Sequence, residues 1–182
     1  MSTGYQIFDQ QAVYFVTFTI VDWVDLFSRK LYRDIVTESL AFCCKEKGLE
    51  VYGYVIMTNH VHLIVKAAGS IPLSDVIRDF KKFTARSCLE AIQLEPESRR
   101  EWLLHRFKYN ASRHQRNSMY QLWTHENHAV EIRSKSFFEQ RLKYIHENPV
   151  RAGWVDFAED YIYSSAYELS NRGKKVPIAN WY

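Results

Sequence analysis

Apolar and polar positions follow two periods along this chain, and their boundaries outline its elements. Residues 13–20 read VYFVTFTI, with Tyr14, Val16 and Phe18 alternating against Phe15, Thr17 and Thr19, the period of a β-strand. In 29–47, Leu31, Ile35, Leu40 and Cys43 recur near helical spacing, and the run stops at Gly48, as helices often do. Two further β-rich runs, 51–57 and 60–66, are separated by Thr58-Asn59, which suits a tight turn. Pro72 and Ser74 open a second helix, whose expected buried stripe is Val76, Ile77, Phe80, Phe83, Ser87 and Cys88. Residues 98–119 read as a helix followed by a polar loop, and 123–132 as a fourth strand. Ser136 and Glu139 have capping-box spacing for a last long helix. Pro149 is expected to stop that helix, because the residue before a proline is driven out of the α region.

The resulting order, β-α-β-β-α-(α)-β-α, predicts an α+β fold. Its β-α-β-β-α-β core is ferredoxin-like, an antiparallel sheet with both crossover helices on one face. The additional C-terminal helix lies outside that core. The other face of the sheet is left for a ligand or another element. No repeat or low-complexity stretch interrupts the order, and 6 Gly and 4 Pro in 182 residues predict few loops and continuous packing.

The third strand carries an anomaly. In YVIMTNHVHLIV, residues 54–65, two histidines sit one residue apart inside an apolar, β-branched run. Strand alternation puts His60, His62 and Ile64 on one side and Val61, Leu63 and Val65 on the other. The apolar trio is expected to face the helices, so both imidazoles point the same way from the uncovered face. Taken alone, they are either satisfied residues of a sheet or a pair of metal ligands.

Composition bounds the alternatives. With 47% hydrophobic residues and a mean hydropathy of -0.35, the chain suits one folded domain that needs no disulfide or metal staple. Cys43, Cys44 and Cys88 form neither an even disulfide set nor a zinc-like spacing, and fit reduced thiols. No apolar run approaches a membrane span and no leader-like start is present, so a cytoplasmic, nucleoid-associated protein is expected. The net charge of +3 says little, but its distribution says more. Arg78, Lys81, Lys82 and Arg86 cluster in the second helix, and Arg106, Lys108, Arg113 and Arg116 in the segment after it. Such blocks attract polyanions by counterion release, although each alone is equally a solvated helix face. The 12 Tyr, 11 Phe and 5 Trp leave flat rings to spare for stacking on bases.

In FFEQRLKYIHENPVRAGWV, Phe138, Leu142 and Ile145 mark the expected buried stripe of the last helix. Tyr144 and Asn148 are i, i+4 neighbours beside that stripe, so a phenol and an amide oxygen are presented together. At this point the residues carry a resemblance. His60-Val61-His62 on a strand, followed by Tyr144-Ile-x-x-Asn148-Pro-Val-x-Ala-Gly-Trp-Val, resembles the HUH single-tyrosine transposases, closest to the REP-associated tyrosine transposases. The likeness runs from Tyr14 to Tyr167 and includes LWTHENHAVEI and YSSAYE.

The resemblance implies a single transposase domain over 1–170 and a short tail, 171–182. It implies that His60 and His62 hold a divalent ion, Mg²⁺ or Mn²⁺, and that Asn148 stands where relatives place a third ligand, usually Gln. It makes Tyr144 the nucleophile and single-stranded, hairpin-bearing DNA the partner. A homodimer is left open. Phenols ionise well above neutral pH and phosphodiesters shield themselves with charge, so a hard ion on the scissile phosphate suits this chemistry. The expected reaction is transesterification through a 5′-phosphotyrosine, with the phosphodiester energy conserved.

The remaining candidates carry less. His125 and His128 are oddly spaced on the expected fourth strand, which favours a structural or DNA-facing role. His146 points to a different face of its helix from Tyr144, and His105 and His114 fall in the basic segment. Phe107 and Tyr109 alternate with Arg106 and Lys108, as in single-strand binders, or are simply packed. Two rival functions remain: a binding module for structured nucleic acid that never cuts, and a hydrolase with water as nucleophile.

Overall fold

The computed structural model describes residues 6–113, 119–173 and 175–181; Arg116 and His114 lie outside the described residues. The chain forms β1 (Tyr14–Thr19), α1 (Lys30–Lys47), β2 (Leu49–Ile56), β3 (His60–Ala67), α2 (Leu73–Leu94), α3 (Arg100–Ser112), β4 (Val130–Glu131), α4 (Lys135–Arg151) and α5 (Ser165–Leu169). The four strands make one sheet in the order β2-β3-β1-β4, every neighbouring pair antiparallel.

The sheet has an apolar face and a mixed one, as the alternation predicts. Tyr14, Val16 and Phe18 of β1 stand opposite Val65, Leu63 and Val61 of β3, and all six are buried. The helical layer of α1 and α2 covers this face, with Phe80 of α2 5.9 Å from Phe18 between ring centres. Gly48 ends α1 in the left-handed region at φ 66 and crosses the 68–69 backbone so closely that an added Cβ would lie 2.8 Å from the Gly69 amide nitrogen.

On the other face, Phe15, Thr17 and Thr19 pair with Ile64, His62 and His60. This face is covered by α4. Gly53 of β2 permits the approach, since a Cβ there would meet Leu142 Cδ1 at 2.6 Å. Tyr52 is the extra residue of a bulge between Val51 and Gly53, and it sets its ring on edge against Phe138, 6.1 Å away. Ser165, at the start of α5, fastens the same helix from the sheet edge. Its Oγ accepts from the Tyr54 amide at 2.9 Å and lies 2.8 Å from His146 Nε2. The described part of the tail packs onto this layer too: Trp181 stacks on Phe138 at 4.6 Å and the Ala179 amide donates to the Val51 carbonyl at 2.8 Å.

Several expectations are corrected. The fourth strand is only two residues long, with an isolated bridge from Trp123 to Ile20, because His128 takes φ 38 and breaks the extended run. The last helix is capped by Ser134, whose Oγ accepts from the Phe137 amide; Ser136 and Glu139 lie inside it, exposed, and make no capping box. Pro149 does not stop that helix. It falls in the last turn, where a missing amide forfeits one bond, and the chain turns off only at Gly153, φ 72. The α2 stripe runs through Leu73, Val76, Ile77, Phe80, Thr84, Cys88 and Ile92, leaving Phe83 59% exposed beside Phe42 in a groove against α1. In α1 the buried row is Tyr32, Val36, Leu40 and Cys43, so Leu31 and Ile35 lie at its border.

Cys43 and Cys88 are buried thiols with Cys44 at the border, and burial pushes Cys43 up to about 11. Among the described residues no helix is long and apolar enough to cross a membrane.

Candidate functional site

The site forms where the mixed face of the sheet meets α4. Alternation in β3 aims both histidines at this helix, their ring centres 4.7 Å apart. His62 is 6% exposed and stacks on Phe15 of β1 at 5.4 Å. Its Nδ1 lies 2.8 Å from Thr17 Oγ1, the cross-strand partner, while its Nε2 is buried with no hydrogen-bond partner. His60 places Nδ1 2.6 Å from Asn59 Oδ1 in the β2–β3 turn. An amide oxygen only accepts, so His60 Nδ1 carries the proton and Nε2 keeps a lone pair.

Electrostatics keep these rings neutral. Burial, with His60, Arg141 and Arg151 nearby, pushes His62 down to about 3, and burial lowers His60 as well. A neutral imidazole with a second nitrogen tied to a neighbour is the form that ligates metals.

Helix α4 brings Tyr144 to the same point. Its ring centre is 5.3 Å from that of His62 and 6.1 Å from that of Phe15, and the residue is 37% exposed. One turn on, Asn148 Nδ2 donates to the Tyr144 carbonyl at 2.8 Å, which leaves Oδ1 uncommitted by that bond. Arg151 donates to the same carbonyl at 3.0 Å and lays its guanidinium over the Tyr144 ring at 4.7 Å.

The donor set fits a divalent metal ion. Among the described residues no three His, Cys, Asp or Glu side chains cluster as a metal site. What is present is the orphaned, buried Nε2 of His62, the free Nε2 lone pair of His60, and a neutral amide oxygen on the adjoining helix.

Of the basic residues, those of α2 are not brought to the histidines. α2 packs on the opposite face, where Arg78 pairs with Asp75 and Asp79. Lys81 donates to the Thr124 carbonyl and to Asn127 Oδ1, with burial lowering it to about 8. Lys82 and Arg86 line the groove between α1 and α2. In α3, Phe107 is buried and Tyr109 exposed, so one ring of that pair packs and the other is left for contact. Arg106 approaches Asp22 at 3.9 Å, Arg113 lies over Tyr109 at 5.8 Å, and Lys108 is exposed. His125 and His128 are exposed, and His146 is turned toward Ser165 rather than the site, with burial taking it down to about 4.

Four neighbours of the site escape sequence reasoning: Thr17, Asn59, Arg141 and Arg151. Helix spacing could have found Arg141, three residues before Tyr144. Thr17 needs the β1–β3 register, which no local pattern reveals.

A family model of IS200-like transposases matches residues 11–148, most of the chain. The chain belongs to this family. Its fold is similar over 99% of its length to a solved REP-associated tyrosine transposase bound to a REP hairpin. That match has a TM-score of 0.68 at 16% identity and covers 93% of that chain. A Deinococcus radiodurans protein assigned as a transposase aligns at TM-score 0.46 and 16% identity, over 81% of this chain and 95% of that one. A comparison with curated protein sequences gives no significant match. Membership ties this IS200-like chain to DNA transposition, with the histidines, Tyr144 and Asn148 all inside the matched segment.

Proposed function

We propose that the protein nicks and rejoins single-stranded, hairpin-bearing DNA, with Tyr144 as its nucleophile. One observation carries the reading: the Tyr144 ring stands 5.3 Å from the buried imidazole of His62, so a single chain supplies both nucleophile and candidate ligands. The β2-β3-β1-β4 order supports the ferredoxin-like description of the core, with α4 as the added helix. The REP hairpin held by the structural neighbour supports hairpin DNA as the partner.

In this scheme Tyr144 Oη bonds to the scissile phosphorus as the P–O3′ bond breaks. The phenol gives up its proton, the leaving oxygen takes one, and a 5′-phosphotyrosine and a free 3′-OH result. Held by His60, His62 and Asn148, Mg²⁺ or Mn²⁺ would supply charge withdrawal from the phosphate. Thr17 and Asn59 fix the histidine rings through Nδ1. Arg151 steadies the tyrosine from above its ring, and with Arg141 adds positive charge where the phosphate must sit. Rejoining reverses the step with a 3′-OH as attacking group and requires no ATP.

The test is to incubate the protein with a hairpin-bearing single strand and Mg²⁺ or Mn²⁺, then look for a protein–DNA adduct under denaturing conditions. Wild-type protein forms it, and Tyr144→Phe binds the same DNA without forming it. Binding with no cleavage in either metal would make the protein a recognition module instead.

A further inference from the structure

The connection after β1 holds two consecutive residues, Asp22 and Trp23, at φ 54, a region that non-glycine residues seldom enter. The turn is tied on both sides. Asn110 of α3 donates to Asp22 Oδ2 at 2.7 Å, and Asn59 Nδ2 donates to the Trp23 carbonyl at 3.3 Å. The Asn59 side chain is also the acceptor for His60, so one amide joins the strained turn to the candidate metal ligand. What the strain secures is an indole 68% exposed, its ring centre 6.3 Å from that of His60. Exposed tryptophan at such a position is neither core nor solubilising surface.

Trp23 forms one wall of a cavity of ≈ 390 Å³ that also takes in Asp22, Asn110, Gln121 and Glu126. The amide nitrogens of two of these are spent inside the protein. Asn110 Nδ2 serves Asp22 and the Arg106 carbonyl, and Gln121 Nε2 serves the Trp123 carbonyl. The hydroxyls of Thr19 and Thr124 and the imidazoles of His125 and His128 line the same cavity, and Glu126 Oε2 lies 3.4 Å from His128 Nε2, so its wall offers both donors and acceptors. Such a mixed polar wall suits the edge of a flat heterocycle, and the indole offers that ring a stacking surface.

We propose that this cavity holds one unstacked nucleobase of the DNA strand beside the scissile phosphate. Trp23 is its platform, and the polar wall meets the edge of the base. The proposal rests on the strand-cutting reading above for its choice of ligand. It adds a base-stacking element that lies outside the histidines, the tyrosine and the basic helices.

The test uses binding, so that it does not depend on cleavage. Full-length Tyr144→Phe protein is titrated with a hairpin carrying a single-stranded arm, in which each arm position in turn is replaced by fluorescent 2-aminopurine. At one position fluorescence falls on binding, and an abasic site there weakens binding about tenfold. Adding Trp23→Ala removes both the quench and the penalty, whereas Trp23→Phe keeps a partial version of each, which separates stacking from a disturbed turn. A quench and penalty that survive Trp23→Ala, or an arm with no such position, would overturn the proposal. Failure of the strand-cutting reading shows separately, as absence of the covalent adduct with wild-type protein.

Discussion

Thr17 Oγ1 and His62 Nδ1 lie 2.8 Å apart across the β1–β3 pair, a contact between a half-buried hydroxyl and a buried imidazole on neighbouring strands. If His62 donates here, its orphaned Nε2 is a lone pair awaiting a cation; if the hydroxyl donates, Nε2–H is a buried donor with nothing to bond. Thr17→Val removes the hydroxyl at nearly constant shape. The expected result is a loss of Mn²⁺ affinity of about 10- to 100-fold, measured by calorimetry on the folded protein. Thr17→Ser should restore most of it. Unchanged affinity in Thr17→Val would mean that the threonine does not set the ring.

Arg141 has no hydrogen bond or ion pair with any described residue. Its guanidinium lies 5.1 Å from the Phe15 ring centre and 4.8 Å from that of Phe137, and its Nε is buried without a partner. A half-buried cation without a carboxylate is expected where a phosphate belongs. Arg141→Ala should weaken single-strand binding and lower the slope of log affinity against log salt by about 0.7 to 1. Arg78→Ala, whose partners are Asp75 and Asp79, should leave that slope unchanged.

Ser165 is fully buried and joins the Tyr54 amide to His146, two residues from Tyr144. Ser165→Ala strands both groups, at a cost of about 1–3 kcal/mol. The melting temperature should fall by several degrees, roughly 3–10 °C for a chain of this size. Because the same bond fastens α4 over the histidines, adduct formation should slow even where the protein remains fully folded. A destabilised variant with undiminished adduct formation would show that this anchor does not position Tyr144.

Glu97 is the carboxylate best placed to report acid unfolding. Its side chain is 1% exposed. Burial opposes its charge, but hydrogen bonds from Arg29, the Arg99 amide and Tyr32 prevail and hold it down to about 2, against an ordinary 4.5. A carboxylate with a depressed folded value stabilises the fold fully above the unfolded value, and that contribution is lost as pH falls through the folded one. Stability should therefore drop by up to about 3 kcal/mol between roughly pH 5 and pH 2. Denaturant titrations of Glu97→Gln should start less stable at neutral pH and show a shallower fall over that range.

Much of this architecture is legible in local patterns. Alternation in β1 and β3 foretells which residues share a face, and Gly48 ends its helix as its type suggests. The shared face of His60 and His62, and the pairing of Tyr144 with Asn148, follow from periods of two and four residues. What escapes is whatever depends on distant partners. The fourth strand shrinks because His128 adopts a positive φ, and Ser134 displaces Ser136 as the cap because the chain leaves the sheet one step earlier. Phe83 reads as core but borders an open groove, since helical spacing does not tell a buried ring from one at the edge of a contact. Thr17, Asn59 and the strained Asp22-Trp23 turn matter only through register and tertiary hydrogen bonds, which leave no periodic trace.

The most direct measurement is to find where DNA becomes attached. The wild-type adduct formed on a hairpin-bearing single strand is digested with protease and nuclease, and the nucleotide-bearing peptide is sequenced by mass spectrometry. The modified residue should be Tyr144, joined to a 5′ phosphate, with a free 3′-OH on the released fragment. Attachment at another residue, a 3′ linkage, or cleavage that leaves no protein-bound nucleotide would contradict the account.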